Sequence, residues 1–115
     1  MTRRTPVGLG AHGRRLWCSV VDENELAEAE AVQLEEACRV RDTVVSLRAQ
    51  VTKDGVMIPS SQGARLHPAI AEIRAQQLAL ARLLATLGIP ALTEDEDETP
   101  ASRGVRGVYA LRSAS

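Results

Sequence analysis

Apolar residues along the chain fall into three runs of helical period separated by polar breaks. The first run is short. Leu16, Trp17, Val20 and Val21 share one side of a helix expected over about 11–21, opened by Gly10 and broken by Asp22-Glu23-Asn24. The second is long, from about Glu28 to Thr52, with Leu34, Cys38 and Val45 recurring at helical spacing, as do Val40, Val44, Leu47 and Val51. At a rise of about 1.5 Å per residue that helix is roughly 37 Å long. Its acids (Glu28, Glu30, Glu35, Glu36) stand in the first half and its bases (Arg39, Arg41, Arg48, Lys53) towards the end, the order the helix dipole favours. Glu35 and Arg39 are spaced for an i,i+4 ion pair worth a few tenths of a kcal/mol.

The third run covers residues 69–87. Pro68 suits its first turn, and Gly88 with Pro90 behind it forms a stop. Its apolar arc is wide. Ile70, Ile73, Leu80, Leu83, Leu84 and Leu87 occupy one side, Leu78 stands well off it, and alanines fill most of the rest. A surface helix needs a stripe of only about 100°. The excess predicts cover from more than one side, which one antiparallel hairpin does not provide and neighbouring subunits do. Leu34, Val44, Leu47, Ile73, Leu80, Leu84 and Leu87 are therefore the expected hairpin core, with Leu78 and Leu83 the expected oligomer interface.

Between the long helices, Asp54-Gly55 and Pro59-Ser60-Ser61-Gln62-Gly63 are turn signals, and Val56 and Ile58 flank Met57 in a pattern that suits a small β-hairpin or loop. The connector is longer than a helical hairpin needs. The fold class that follows is all-α and oligomeric: a short N-terminal helix, then a long antiparallel helical hairpin with a small β-hairpin or loop between its helices.

Composition agrees with helices. The 115 residues include no Phe, one Trp and one Tyr, so Ala, Leu and Val carry the apolar fraction. The length allows one domain with a small core. The most apolar stretch, 78–92, is interrupted by Arg82, Gly88 and Pro90 and is too short to span a bilayer, so a soluble protein without membrane contact is expected. Cys18 and Cys38 both fall within expected helices and read as reduced, packed thiols.

Net charge is −1, but its distribution is uneven. Residues 1–15 carry Arg3, Arg4, Arg14 and Arg15 and no acid, whereas residues 22–36 carry seven acids and no Lys or Arg. The acidic run Glu94-Asp95-Glu96-Asp97-Glu98 precedes a tail with Arg103, Arg106 and Arg112. Arg14-Arg15 at a helix start, backed by Arg3 and Arg4, suit a clamp on phosphates, helped by free backbone N–H groups of the first helical turn. From the residues alone, pairing of these arginines with the acids at 22–30 is an equal alternative. No helix-turn-helix is recognisable.

Gly8-Leu9-Gly10-Ala11-His12-Gly13 matches the dinucleotide fingerprint G-x-G-x-x-G letter for letter. That chemistry needs a preceding strand and a βαβ unit, and only seven residues precede Gly8, so the glycines read as a flexible hinge into a helix start. His12, Cys18, Cys38 and His67 lie on three separate elements and in no zinc-ligand spacing, and read as packed thiols and capping or exposed imidazoles. No nucleophile–base arrangement is legible. No catalytic, cofactor-binding or metal-binding residue is assigned, and no enzyme is expected.

Three segments in order carry a resemblance: Leu9-Gly10-Ala11-His12-Gly13-Arg14-Arg15-Leu16-Trp17, then Leu34-Glu35-Glu36-Ala37-Cys38-Arg39, then the polar loop Ser60-Ser61-Gln62-Gly63 leading to His67-Pro68, the Leu/Ala-rich helix and Gly88-Ile89-Pro90. Over roughly residues 8–90 the chain resembles the small subunit of a tailed-phage terminase, in the branch found in phages and prophages of actinobacteria. It departs from that pattern at Ala27, where a polar cap is expected, and at the acidic run, which interrupts an otherwise basic tail.

The resemblance implies a non-enzymatic DNA-recognition and regulatory component of the viral genome-packaging motor. Such a protein works in the host cytoplasm as a homo-oligomeric ring, with double-stranded viral DNA and the terminase large subunit as partners. It tilts the arginines towards DNA: Arg3, Arg4, Arg14 and Arg15 first, Arg103, Arg106 and Arg112 second. On this reading residues 1–9 are a flexible basic arm, 10–90 the helical oligomerisation and DNA-recognition domain, and 91–115 a disordered acidic-then-basic tail. The other reading is a helical dimeric adaptor or antitoxin-like interaction protein without direct DNA contact.

Overall fold

The computed structural model describes residues 3–88 of the chain. Three helices and one β-hairpin follow in order: α1 (Ala11–Val21), α2 (Glu28–Asp54), β1 (Met57–Ser60), β2 (Gly63–Leu66) and α3 (Ala69–Leu87). The first and third helices have the expected bounds. The second continues past Thr52 to Asp54, where Gly55, at φ +92°, ends it and donates its N–H to the Val51 carbonyl at 2.7 Å.

Helix α2 starts without a polar N-cap side chain. Ala27 offers no acceptor, but the Glu30 carboxylate reaches back to accept the Ala27 N–H at 2.8 Å. One half of a reciprocal capping box is thus present and the other is missing, with Glu28 and Glu30 in the first turn and Lys53 in the last favouring the dipole. The i,i+4 pair of Glu35 and Arg39 is formed.

The connector forms an antiparallel two-stranded sheet in which Met57 faces Leu66, Ile58 faces Arg65, Pro59 faces Ala64 and Ser60 faces Gly63. Gly63, at φ +102°, supplies the left-handed turn position. Pro59 is tolerated because a two-stranded sheet leaves one edge of each strand unpaired. His67 closes the loop. Its backbone N–H donates to the Val56 carbonyl at 2.7 Å, its Nδ1 accepts the Ala69 N–H at 3.1 Å, and its Nε2 lies 2.9 Å from Asp54 Oδ2. With Nδ1 accepting, the proton belongs on Nε2, which donates to Asp54. One buried imidazole therefore joins the end of α2 to the start of α3.

The core lies at one end of the hairpin. Leu9, Trp17, Val20 and Val21 pack with Ala31, Leu34 and Cys38 of α2 and with Leu87 at the end of α3, and Leu16, Leu26 and Leu84 pack against that cluster. Of the expected hairpin core, Leu34, Val44 and Leu87 are buried, while Leu47, Ile73, Leu80 and Leu84 are half-buried. Helix α3 is covered along one side only. Leu83 is half-buried and Leu78 is 52% exposed.

Cys38 is buried, but Cys18, expected to pack, is exposed. The buried side of α1 is Gly13, Trp17, Val20 and Val21, and Cys18 falls outside it. The glycine-rich start of α1 also differs from a flexible hinge. Asp42, in the middle of α2, accepts the Gly10 N–H on Oδ2 and the Gly13 N–H on Oδ1, each at 2.7 Å. A Cβ on Gly13 would lie 2.3 Å from Asp42 Oδ2 and 2.8 Å from the Cys38 carbonyl oxygen. The glycine permits the close approach of α1 to α2, and a carboxylate 29 residues away serves as the helix cap.

Candidate nucleic-acid interface

The sequence-predicted arginines occupy different surroundings. Arg3 is engaged: Nη1 lies 3.2 Å from Glu28 Oε1 and Nη2 donates to the Leu26 carbonyl at 3.1 Å. Arg39 donates to the Val7 carbonyl at 3.3 Å, and Leu9 is buried in the core. Residues 3–9, expected as a flexible arm, thus have three anchors: the Arg3 side chain on Leu26 and Glu28, the Val7 carbonyl on Arg39, and Leu9 in the core. The Arg3–Glu28 pair is solvent-exposed and contributes little alone, so the Leu26 and Leu9 contacts matter more. Arg4 is exposed and lines, with Trp17 and Val32, a groove of about 330 Å³. The Trp17 indole N–H is buried without an acceptor among the described residues.

Arg14 and Arg15 are both exposed but differ in use. Arg14 Nη1 donates to the Leu9 carbonyl at 2.6 Å, so its guanidinium is folded back on the start of its own helix. Arg15 makes no hydrogen bond or ion pair among the described residues. It lines a concavity of about 280 Å³ together with His12, Leu16 and Ser19 of α1 and Arg41 of α2. His12, Arg15, Leu16 and Ser19 follow an i, i+3, i+4, i+7 pattern, so they form one stripe along α1.

Two of the backbone N–H groups at the start of α1, where a phosphate contact is expected, are engaged within the chain. The Gly10 and Gly13 N–H groups are already taken by Asp42, whose carboxylate occupies the place an anion would need. Arg103, Arg106, Arg112 and the acidic run 94–98 lie outside the described residues.

Arg41 is the residue that sequence reasoning did not single out, though a signal for it exists. Its neighbours at helical spacing are Ala37, Cys38, Val44 and Val45, none of them acidic, whereas Arg39 has Glu35 one turn earlier. Arg15 is alike, with Ala11, His12, Cys18 and Ser19 at the corresponding positions. Cations without local partners on two helices meet across the α1–α2 groove.

The titratable groups elsewhere have structural explanations. Burial pushes the Cys38 thiol up to about 12, with the negative charges of Asp42 and Glu35 adding to the effect. Its nucleophilic thiolate is therefore suppressed near neutral pH. Asp54 is held below the usual carboxylate range by hydrogen bonds from Gln50 and then from His67. His12 and Cys18 lie on α1, Cys38 on α2 and His67 just before α3, and among the described residues no three His, Cys, Asp or Glu side chains converge as a metal site would require. No helix among the described residues is long and apolar enough to cross a membrane.

No protein family, curated protein or solved structure matches this chain.

Proposed function

We propose that this chain is a phage terminase small subunit: a non-enzymatic DNA-recognition and regulatory component that works as an oligomeric ring beside the large subunit. The observation that carries the reading is α3. A 19-residue helix with apolar residues around most of its circumference has only Leu87 buried within one chain, while Ile70, Ile73, Leu80 and Leu83 are half-covered and Leu78 is exposed. Neighbouring copies would cover that surface. Burial of apolar area at roughly 25 cal/mol per Å² gives the driving force for such an assembly.

The ring explains how a nearly neutral chain holds DNA. One subunit offers a few cations: Arg15 and Arg4, with Arg14 and Arg3 partly engaged by carbonyls and Glu28. Repetition around a ring turns weak phosphate contacts into avidity. Without a helix-turn-helix among the described residues, selectivity rests on repeated spacing and DNA shape. The order of the glycine-rich helix start, the acidic-to-basic long helix and the His-Pro helix start supports the terminase assignment. The double-stranded viral DNA, the large subunit and the host cytoplasm belong to it as partners and location.

The test is a salt titration of duplex binding by the wild type and Arg15→Ala, with the oligomeric state measured in both. The expected result is weaker binding to all sequences and a flatter slope of log affinity against log salt. Coinciding slopes in two equally assembled proteins would contradict the role of Arg15. A second reading, a helical dimeric adaptor, draws on the connector, where Val56, Met57 and Leu66 are about half exposed and would suit a protein partner. A dimer that binds no duplex at any salt concentration would favour it.

A further inference from the structure

We propose that His12, Arg15 and Arg41 form a discrete oxyanion site that seats one phosphate group of the DNA backbone in each subunit. The inference rests on the DNA-binding reading and goes beyond it, by naming two residues, His12 and Arg41, and a defined place between two helices.

Three observations converge there. First, Arg15 and Arg41 line the same concavity from different helices, and neither has a carboxylate partner among the described residues. Two like charges facing one cleft repel each other and raise the local concentration of anions. A phosphodiester, carrying one negative charge and two unesterified oxygens, relieves that repulsion and matches the planar fork of a guanidinium. Second, His12 Nδ1 is buried without a hydrogen-bond partner, although His12 lines the same concavity. That nitrogen is closed to solvent, so the imidazole must turn about its side-chain torsions to offer its N–H to a phosphate oxygen, the partner it lacks here. Third, the spacing of the two guanidinium stems is fixed. The Gly13 backbone lies against the Cys38 carbonyl, and Asp42, next to Arg41 in sequence, holds the Gly10 and Gly13 N–H groups.

The other groups facing the site fit this use. No carboxylate lines the concavity, and both oxygens of the neighbouring Asp42 are occupied by backbone donors. The Ser19 hydroxyl donates to the Leu16 carbonyl at 2.8 Å, so it closes the wall without offering its proton to the ligand. Leu16 gives an apolar side suited to a sugar edge. The site reads no base. It sets the register of the flank of α1 against the duplex.

The experiment uses the full chain, with backbone amide and imidazole NMR signals followed during titration first with inorganic phosphate and then with duplex DNA. The wild type is expected to shift at residues 12–19 and around Arg41 with phosphate, and DNA is expected to displace the phosphate. Arg41→Ala is expected to lose the phosphate response and to flatten the salt slope of duplex binding by about 0.9 per contact removed. Arg48→Ala, an exposed change on the same helix outside the concavity, should leave the phosphate response unchanged. A wild-type phosphate response in Arg41→Ala, or duplex that binds tightly without displacing phosphate, overturns the site while the DNA-binding reading stands. Failure of the wild type to bind duplex at low salt overturns that reading, and the proposed ligand with it.

Discussion

The Asp42 carboxylate and the absent side chain of Gly13 are two halves of one contact. Asp42 Oδ1 accepts the Gly13 N–H at 2.7 Å, and the space a Cβ would take at Gly13 is filled by Asp42 Oδ2 and the Cys38 carbonyl. An interior helical glycine usually costs about 1 kcal/mol relative to alanine, so Gly→Ala in a helix is normally stabilising. Here the sign should reverse. Gly13→Ala is expected to destabilise the fold by about 1–3 kcal/mol, because the Cys38 carbonyl is backbone and cannot turn away. Urea unfolding against the wild type reads the sign directly, and a gain in stability would show that α1 does not sit this close to α2.

Removing the other half leaves two helix-terminal donors without their acceptor. Asp42→Ala is expected to cost about 2 kcal/mol, in the range of charge-assisted hydrogen bonds and lost caps. Asp42→Asn retains one acceptor oxygen and should fall between the two. Equal midpoints for Asp42→Ala and wild type in the same urea titration would remove the proposed cap.

The clamp across the connector should be sensitive to acid. The folded-state value of Asp54 is lowered, first by its bond from Gln50 and then by its bond from His67. A depressed carboxylate contributes stability above its unfolded value, ordinarily about 3.9, and loses it as pH falls through the lower folded value. Asp54→Ala is therefore expected to melt below the wild type at neutral pH, and the gap should close as the pH falls below about 4. A gap that stays constant down to that range would show that the Asp54 charge does not hold the connector.

The two thiols should react very differently. Cys18 is exposed, whereas Cys38 is buried and its thiol is raised to about 12. A thiol-specific reagent at neutral pH is expected to label Cys18 quickly in the folded protein and Cys38 only on unfolding. Equal labelling of both by mass spectrometry would contradict the packing of α1 on α2.

The helices were legible because their signals are local. The apolar spacing of Leu34, Cys38 and Val45, the Pro68 start and the Gly88 stop all act within a few residues. Strand β2 was not legible in this way. The apolar–polar–apolar order of Ala64-Arg65-Leu66 is too short to mark a strand, which owes its form to pairing with β1. The Asp42–Gly13 contact joins residues 29 apart, so no periodicity announces it, and the glycine pattern invited a hinge reading instead. Cys18 lies off the face that Trp17, Val20 and Val21 mark, so the spacing already leaves it outside; only its residue type, a small apolar thiol, suggests packing. Arg41 needed a different question, namely which cations lack an acid at helical spacing.

Assembly through α3 is the central claim, and native mass spectrometry of the full-length wild type at micromolar concentration tests it most directly. The account predicts one closed oligomer larger than a dimer, which Leu83→Asp disperses by placing a charge on the half-covered apolar arc. A wild type that is monomeric under these conditions would contradict it.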